Sequence, residues 1–140
     1  HWYAATCNIG FCPRAWEKMF DVVDSDALGL EWEPSHQWQQ LIDPLAQLKE
    51  WGRKVFHVHG KDAHVDREHI RKYGVRFGEQ YCVHRFPGMG DTDWKEIICI
   101  LNTQGYQGDI MVEGYHDPVY CKERELEGQK LALDYLRSCV

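Results

Sequence analysis

Lys54-Val55-Phe56-His57-Val58-His59-Gly60-Lys61-Asp62 runs from a β-branched and aromatic hexapeptide into a glycine, a lysine and an aspartate. Its first six residues are too short for a stable helix and read as a buried strand. Side chains alternate along a strand, so Val55, His57 and His59 are expected on one face and Phe56 and Val58 on the other. Two histidines at the carboxyl end of an apolar strand are more than a core requires. Imidazole binds transition metals and serves as a general acid or base. A single strand-end histidine is ordinarily no more than a hydrogen-bonded core residue. Here, however, two other strand-like runs also end in a carboxylate.

Outward from this strand, helices and strands alternate. On the amino-terminal side, Asp43-Pro44 is a cap and first-turn pair for a helix carrying Leu45, Leu48 and Trp51. Gly52 is expected to stop it. Before that helix, Ala27 to Trp32 reads as a short strand. Glu33-Pro34-Ser35-His36 breaks it, since proline cannot continue a central ladder. An earlier helix begins at Pro13, places Trp16, Met19, Phe20 and Val23 at helical spacing, and ends at Asp24-Ser25-Asp26; residues 1–11 read as loop.

On the carboxyl side, about thirty residues (60–92) show only a weak helical pattern near 66–73, and a connection that long is usually a functional loop. It ends in the turn-rich Phe86-Pro87-Gly88-Met89-Gly90. A helix from about Asp91-Thr92-Asp93-Trp94 presents Trp94, Ile97, Ile98 and Leu101 and stops at Gly105. Ile110-Met111-Val112-Glu113 is a third strand, 114–120 is loop, and a last helix over 123–138 carries Leu126, Leu133 and Leu136 on one side. The order α-β-α-β-α-β-α predicts an α/β fold with a parallel sheet.

The 140 residues suffice for one domain, and 44% hydrophobic content is that of a globular chain. The formal charge of −6 argues against a nucleic-acid binder, whose affinity rests on clustered Lys and Arg. Lys61, Arg67, Arg71, Lys72 and Arg76 are the nearest approach to such a cluster and read as a solvated face. No apolar run approaches the roughly 20 residues of a membrane span, and no signal-peptide pattern is present. Of the six cysteines, none forms a C-x-x-C pair, and Cys99 falls in an apolar helical run as a buried thiol. They read as reduced thiols of a cytoplasmic protein, although the even count leaves disulfides open.

Each strand ends in a potential ligand: Glu33, His59 and Glu113. In a parallel array all strand ends lie on one side, so three separate segments aim Glu, His and Glu at one place. Carboxylates with one imidazole suit a divalent ion such as Mn²⁺, Mg²⁺, Co²⁺ or Zn²⁺ without selecting one. His36, three residues past Glu33, is placed to meet the metal or a substrate oxygen.

The segments Gly29-Leu30 through Glu33-Pro34-Ser35-His36, His57 through Asp62, Pro87-Gly88-Met89-Gly90 through Asp93-Trp94, and Val112-Glu113 through Asp117-Pro118 run in the order and spacing of a known family. Over nearly its whole length the chain resembles the sugar phosphate isomerases/epimerases, the xylose isomerase-like TIM barrels. The resemblance implies a (β/α)₈ barrel with a divalent metal at the carboxyl ends of its strands. It makes residues 1–140 a single partial domain, the carboxyl-terminal half with strands six to eight. The family's metal is held by Glu, Asp, His and Glu from strands five to eight. The Asp position falls on Glu33, which is one methylene longer; the His falls on His59 and the last Glu on Glu113. The first metal Glu belongs upstream of His1.

The activity so implied is that of a metal-dependent sugar or sugar phosphate isomerase or epimerase. A proton moves next to a carbonyl through an enediolate, with Glu113 one of two glutamates that carry it. His36, Lys61 and Arg85 resemble positions that hold sugar oxygens. The expected partner is a small sugar, with no nucleic acid or membrane, and a homo-oligomer is open. One rival is an apurinic-site endonuclease of the same superfamily. His84 lies near where its extra histidine falls, but Cys82 stands where it needs an Asp. The other rival is a non-catalytic barrel fragment.

Overall fold

The structure, a computed structural model, describes residues 8–75 and 80–140. Three parallel strands form its centre: β1 (Leu30–Trp32), β2 (Val55–Gly60) and β5 (Ile110–Val112), in the spatial order β1-β2-β5. Between β1 and β2 run α2 (Pro34–Trp38), α3 (Pro44–Trp51) and a 3₁₀ turn (Gly52–Lys54). The helix α1 (Pro13–Val22) precedes β1. An antiparallel pair, β3 (Asp62–Val65) and β4 (Cys82–Arg85), flanks α4 (Arg67–Tyr73) and is followed by α5 (Trp94–Gln104). A 3₁₀ turn (Lys122–Arg124) and α6 (Glu125–Ser138) follow β5. This is the expected α/β arrangement with parallel strands.

The helix starts follow local chemistry. Pro13, Pro34 and Pro44 each occupy the first turn, where a missing N–H costs nothing. Asp43 accepts from Leu45 and Ala46 N–H, and Asp93 accepts from Glu96 N–H. Gly105 ends α5 at φ +85°, a left-handed conformation that glycine adopts without steric cost.

One face of the parallel sheet is the core. Leu30, Trp32, Val55 and Val58 pack there against Trp16, Leu48, Trp94, Ile97, Leu101 and Leu136 from the helices. Trp16 meets Trp51 edge-on at 5.9 Å, and Phe20 stacks on the same ring at 5.7 Å. The opposite face carries Glu31, Glu33, His57, His59, Met111 and Glu113. A smaller cluster of Ala63, Val65 and Cys82 lies under the antiparallel pair.

Several expectations need correction. Val55 does not share a face with His57 and His59. The register pairs Leu30 with Val55 but Glu31 with His57, so Phe56 is an extra, bulged residue and is 54% exposed. The bulge shifts the alternation by one, and Val55 and Val58 both reach the core. Residues 60–92 are not one long loop: they hold β3, α4 and β4, pairing Asp62 with Arg85 and Val65 with Cys82. Pro34 does not merely end a strand; it starts α2. Gly52 keeps a right-handed conformation and lets α3 pass into a 3₁₀ turn.

On α6, Leu126 is 81% exposed and the buried face is Gly128, Ala132 and Leu136. Small residues are needed there because a Cβ at Gly128 would meet the Phe86 ring at 2.5 Å. Cys99 is exposed on the outer side of α5. Cys12, Cys82, Cys99, Cys121 and Cys139 are free thiols. Residues 1–7, including Cys7, and Arg76 lie outside the described residues. No helix among the described residues is long and apolar enough to cross a membrane.

β1 and β5 each leave one strand edge unpaired among the described residues, and Val22 and Met111 are 84% and 56% exposed. Such edges and apolar patches recruit further strands. The 140-residue chain on its own is therefore expected to self-associate. Sedimentation velocity checks this, and a monodisperse monomer with a cooperative melt would refute it.

Candidate functional site

Alternation on β1 sends Trp32 to the core, where its indole N–H donates to Gln47 Oε1 at 2.6 Å. Glu31 and Glu33 therefore point to the other face. Glu33 is also the residue before α2, so the turn of that helix brings Ser35 and His36 back over it. The Ser35 hydroxyl donates to Glu33 Oε1, and His36 Nε2 lies 3.3 Å from the same oxygen.

On β2, His59 directs Nδ1 at the same space. The nitrogen lies 3.0 Å from Glu113 Oε2, 3.2 Å from Glu31 Oε1 and 3.5 Å from Glu33 Oε2. Glu113 is fixed from below because its N–H continues the ladder to Gly60 O at 3.0 Å. Lys61, only 3% exposed, donates from Nζ to Glu113 Oε1 at 2.7 Å. The same ammonium sits 5.8 Å from the exposed Tyr115 ring.

Burial pushes Glu33 up to about 7; the Ser35 hydroxyl and Lys61 ammonium pull it back, while Glu113 and Glu31 add to the rise. Burial pushes His36 down to about 3, aided by His84 and Lys61, so its contact with Glu33 at neutral pH is not an ion pair. Burial likewise lowers His84 to about 4. His84 lies beside the site, its ring 6.0 Å from His36 and 5.8 Å from His116.

Of the residues named from the sequence, Glu33, His36, His59, Lys61 and Glu113 are brought together. Arg85 is held by Asp117, its Nε donating to Oδ2 at 3.0 Å. Sequence reasoning passed over Glu31 and Asp117. Glu31 had a signal, since it lies two residues before Glu33 on a strand and so shares its face. Asp117 had only a local one: it accepts from Val119 and Tyr120 N–H two and three residues on, whereas its links to Arg85 and Phe86 join a distant segment.

The donor set suits a divalent cation. Glu33 Oε2 and His59 Nδ1 are buried without a hydrogen-bond partner and face each other. Ligand atoms of Glu31, Glu33 and His59 lie within 4.8 Å of one another. Buried polar atoms are normally paired, so atoms converging unpaired on one point are what a cation site presents.

The family profile described as a xylose isomerase-like TIM barrel matches residues 2–139. An inosose dehydratase from Clostridium perfringens is 29% identical over 112 residues, 78% of this chain and 38% of that protein. One from Clostridium beijerinckii is 30% identical over 105 residues, 73% of this chain and 35% of that protein. The chain thus spans under two fifths of the length of these two relatives. A xylose isomerase domain protein from Planctomyces limnophilus superposes with a TM-score of 0.69 at 20% identity, covering 90% of this chain and 42% of that one.

Glu33 sets a pH dependence in the metal-free protein. Its folded pKa is raised, so its contribution to stability is present below about 4.5 and lost as pH rises through about 7. The lowered His36 and His84 act oppositely, costing stability as pH falls below 6.5. As pH rises from about 4.5 to about 7 the wild type should therefore lose stability relative to Glu33→Gln, against the rise that the two histidines give both proteins. Denaturant titrations of both proteins across this range check it; a wild-type-minus-variant difference that does not change with pH would assign the effect elsewhere.

Proposed function

The chain belongs to the xylose isomerase-like TIM barrel family, and from that membership we propose that it forms one wall of the active site of a metal-dependent sugar or sugar phosphate isomerase or epimerase. The observation that carries this reading is the meeting of Glu33 and Glu113, from two different strand ends, at His59 Nδ1. Carboxylates and an imidazole on rigid strand ends are an arrangement for holding a cation in fixed geometry.

In this reading Glu33, His59 and Glu113 hold a divalent ion, Mn²⁺, Mg²⁺, Co²⁺ or Zn²⁺. When bound, such an ion supplies Lewis acidity to a carbonyl and its neighbouring hydroxyl. Glu113 takes the proton from the carbon beside the carbonyl and returns it to the adjacent carbon, giving an aldose–ketose exchange; for an epimer, the second of the two glutamates would deliver a proton to the opposite face. Lys61 orients Glu113 by holding Oε1, which leaves Oε2 turned toward His59. The neutral His36 offers a ring nitrogen to a sugar oxygen. Arg85, clamped through Nε by Asp117, offers a guanidinium in a fixed orientation.

The inosose dehydratase relatives favour a second reading with the same first step. There the proton leaves the carbon beside a cyclic ketone, and a hydroxyl two carbons from the carbonyl departs as water. The substrate class, a polyhydroxylated carbonyl compound, is common to both. The endonuclease alternative loses support at Cys82. That thiol faces the small apolar cluster, and burial, with Asp91 and Asp62, pushes it up to about 12.

His59→Ala in the full-length protein should cut divalent-metal affinity strongly, as read by isothermal titration; wild-type affinity would remove His59 from the ligand set. Glu113→Gln keeps size and one oxygen but cannot act as a base. Turnover at saturating metal should fall about 10²–10⁴-fold, with a milder loss in metal affinity. Steady-state kinetics on a panel of ketoses and cyclic polyol ketones in deuterated water measures this. Products isomeric with the substrate support isomerisation or epimerisation, and products lighter by one water support dehydration. Activity within a few fold of wild type would sink the catalytic role of Glu113.

A further inference from the structure

Glu31 is given no role by the family resemblance, yet it stands inside the site. It lies on β1 two residues before Glu33, so the pleat places both carboxylates on the face away from the core. Its Oε1 is 3.2 Å from His59 Nδ1, nearer than Glu33 Oε2 at 3.5 Å. Glu31, Glu33 and His59 present ligand atoms within 4.8 Å of one another, and Glu113 approaches the same nitrogen from the other side. Glu33 is 2% exposed, and its Oε2 is directed into this space without a hydrogen-bond partner. Three carboxylates and an imidazole turned toward one point are the donor set that a divalent cation draws together.

We infer that Glu31 is a further protein ligand of the divalent ion, and that it biases the site toward Mn²⁺ or Mg²⁺ over Zn²⁺. The inference rests on the metal reading above and adds a residue and a selectivity to it. With Glu31 the site offers three carboxylates and one imidazole, an oxygen-rich set suited to ions that take six ligands. With the upstream Glu that the resemblance implies, the protein ligands number five with Glu31 and four without it, and four is the number that satisfies zinc. Glu31 is the natural adjustable member, because its side chain is 37% exposed whereas that of Glu33 is locked under α2.

The test is calorimetric titration of the full-length protein with MnCl₂ and with ZnCl₂, comparing wild type, Glu31→Gln and Glu50→Gln. Glu50 is exposed on α3 and serves as the charge control. Electron paramagnetic resonance of bound Mn²⁺ gives a readout independent of activity. Glu31→Gln should weaken Mn²⁺ about tenfold or more, weaken Zn²⁺ less, and change the Mn²⁺ spectrum, while Glu50→Gln changes none of these. No loss, or equal losses for the two ions, overturns the inference and leaves Glu31 a charge near the site. Wild-type protein that binds neither ion overturns the metal reading itself, an outcome distinct from a failure of Glu31 alone. Thermal melts of the metal-free proteins exclude misfolding, since loss of the fold would weaken both ions together.

Discussion

The buried carboxylate of Asp62 is the constraint on which the site end of this structure depends. It accepts from the N–H of Ala63 at 2.8 Å, of Thr92 at 3.1 Å and of Gly88 at 3.3 Å, and from the Trp94 indole at 3.1 Å. One side chain thus ties the start of β3 to the 88–92 turn and to the first residue of α5. The approach is so close that any Cβ at Gly90 would run into the Asp62 carboxylate and the Ala63 carbonyl. Lys61 and His59 stand immediately before this anchor, so the backbone that carries them inherits its rigidity. Asp117 does the same for the opposite wall, holding Arg85, Phe86, Val119 and Tyr120. Burial raises the Asp62 carboxyl despite its donors. At Asp117 burial also acts upward, but the Tyr120 and Val119 N–H groups and the Arg85 guanidinium outweigh it and keep the carboxyl low.

What the sequence made legible was whatever local chemistry writes locally. Prolines at helix starts, Asp43 and Asp93 as caps, and Gly105 as a stop all act within a few residues of themselves. The convergence of Glu33, His59 and Glu113 was legible because parallel topology forces strand ends to one side. Other features depend on partners far along the chain. The antiparallel pairing of Asp62–Val65 with Cys82–Arg85 joins two four-residue runs, and neither alone has a strand signal. The exposure of Leu126 follows from how closely Gly128 approaches Phe86, a distance no periodicity encodes. Glu31 was missed for a different reason: attention to strand ends overlooked the next residue on the same face.

The electrostatics of the site come from crowding rather than from net charge. The chain carries −6 overall, but the local fact is three carboxylates within 3.5 Å of one ring nitrogen, with a buried lysine on one of them. Glu33 responds most because it is the most deeply buried of the three. The neutral imidazoles of His36 and His84 line the same edge, giving polar hydrogen-bonding capacity without further charge.

The bulge at Phe56 acts on β2 much as a frameshift acts on a reading frame. A pleated strand repeats every two residues, so core positions three apart, Val55 and Val58, are incompatible with regular pairing. The single extra residue reconciles them with imidazoles at 57 and 59 on the other face. Deleting Phe56 would bring Val55 and Val58 two residues apart, so a regular, unbulged strand would keep both valines in the core and both imidazoles on the other face. A second inserted residue would be the disruptive change, since it would turn either Val55 out of the core or the imidazoles into it. Substitution at Phe56 is a milder matter, because its ring is half exposed and rests over Gly29. The segment is therefore free to vary in composition at the bulge, and even to lose it, but not to grow by one residue.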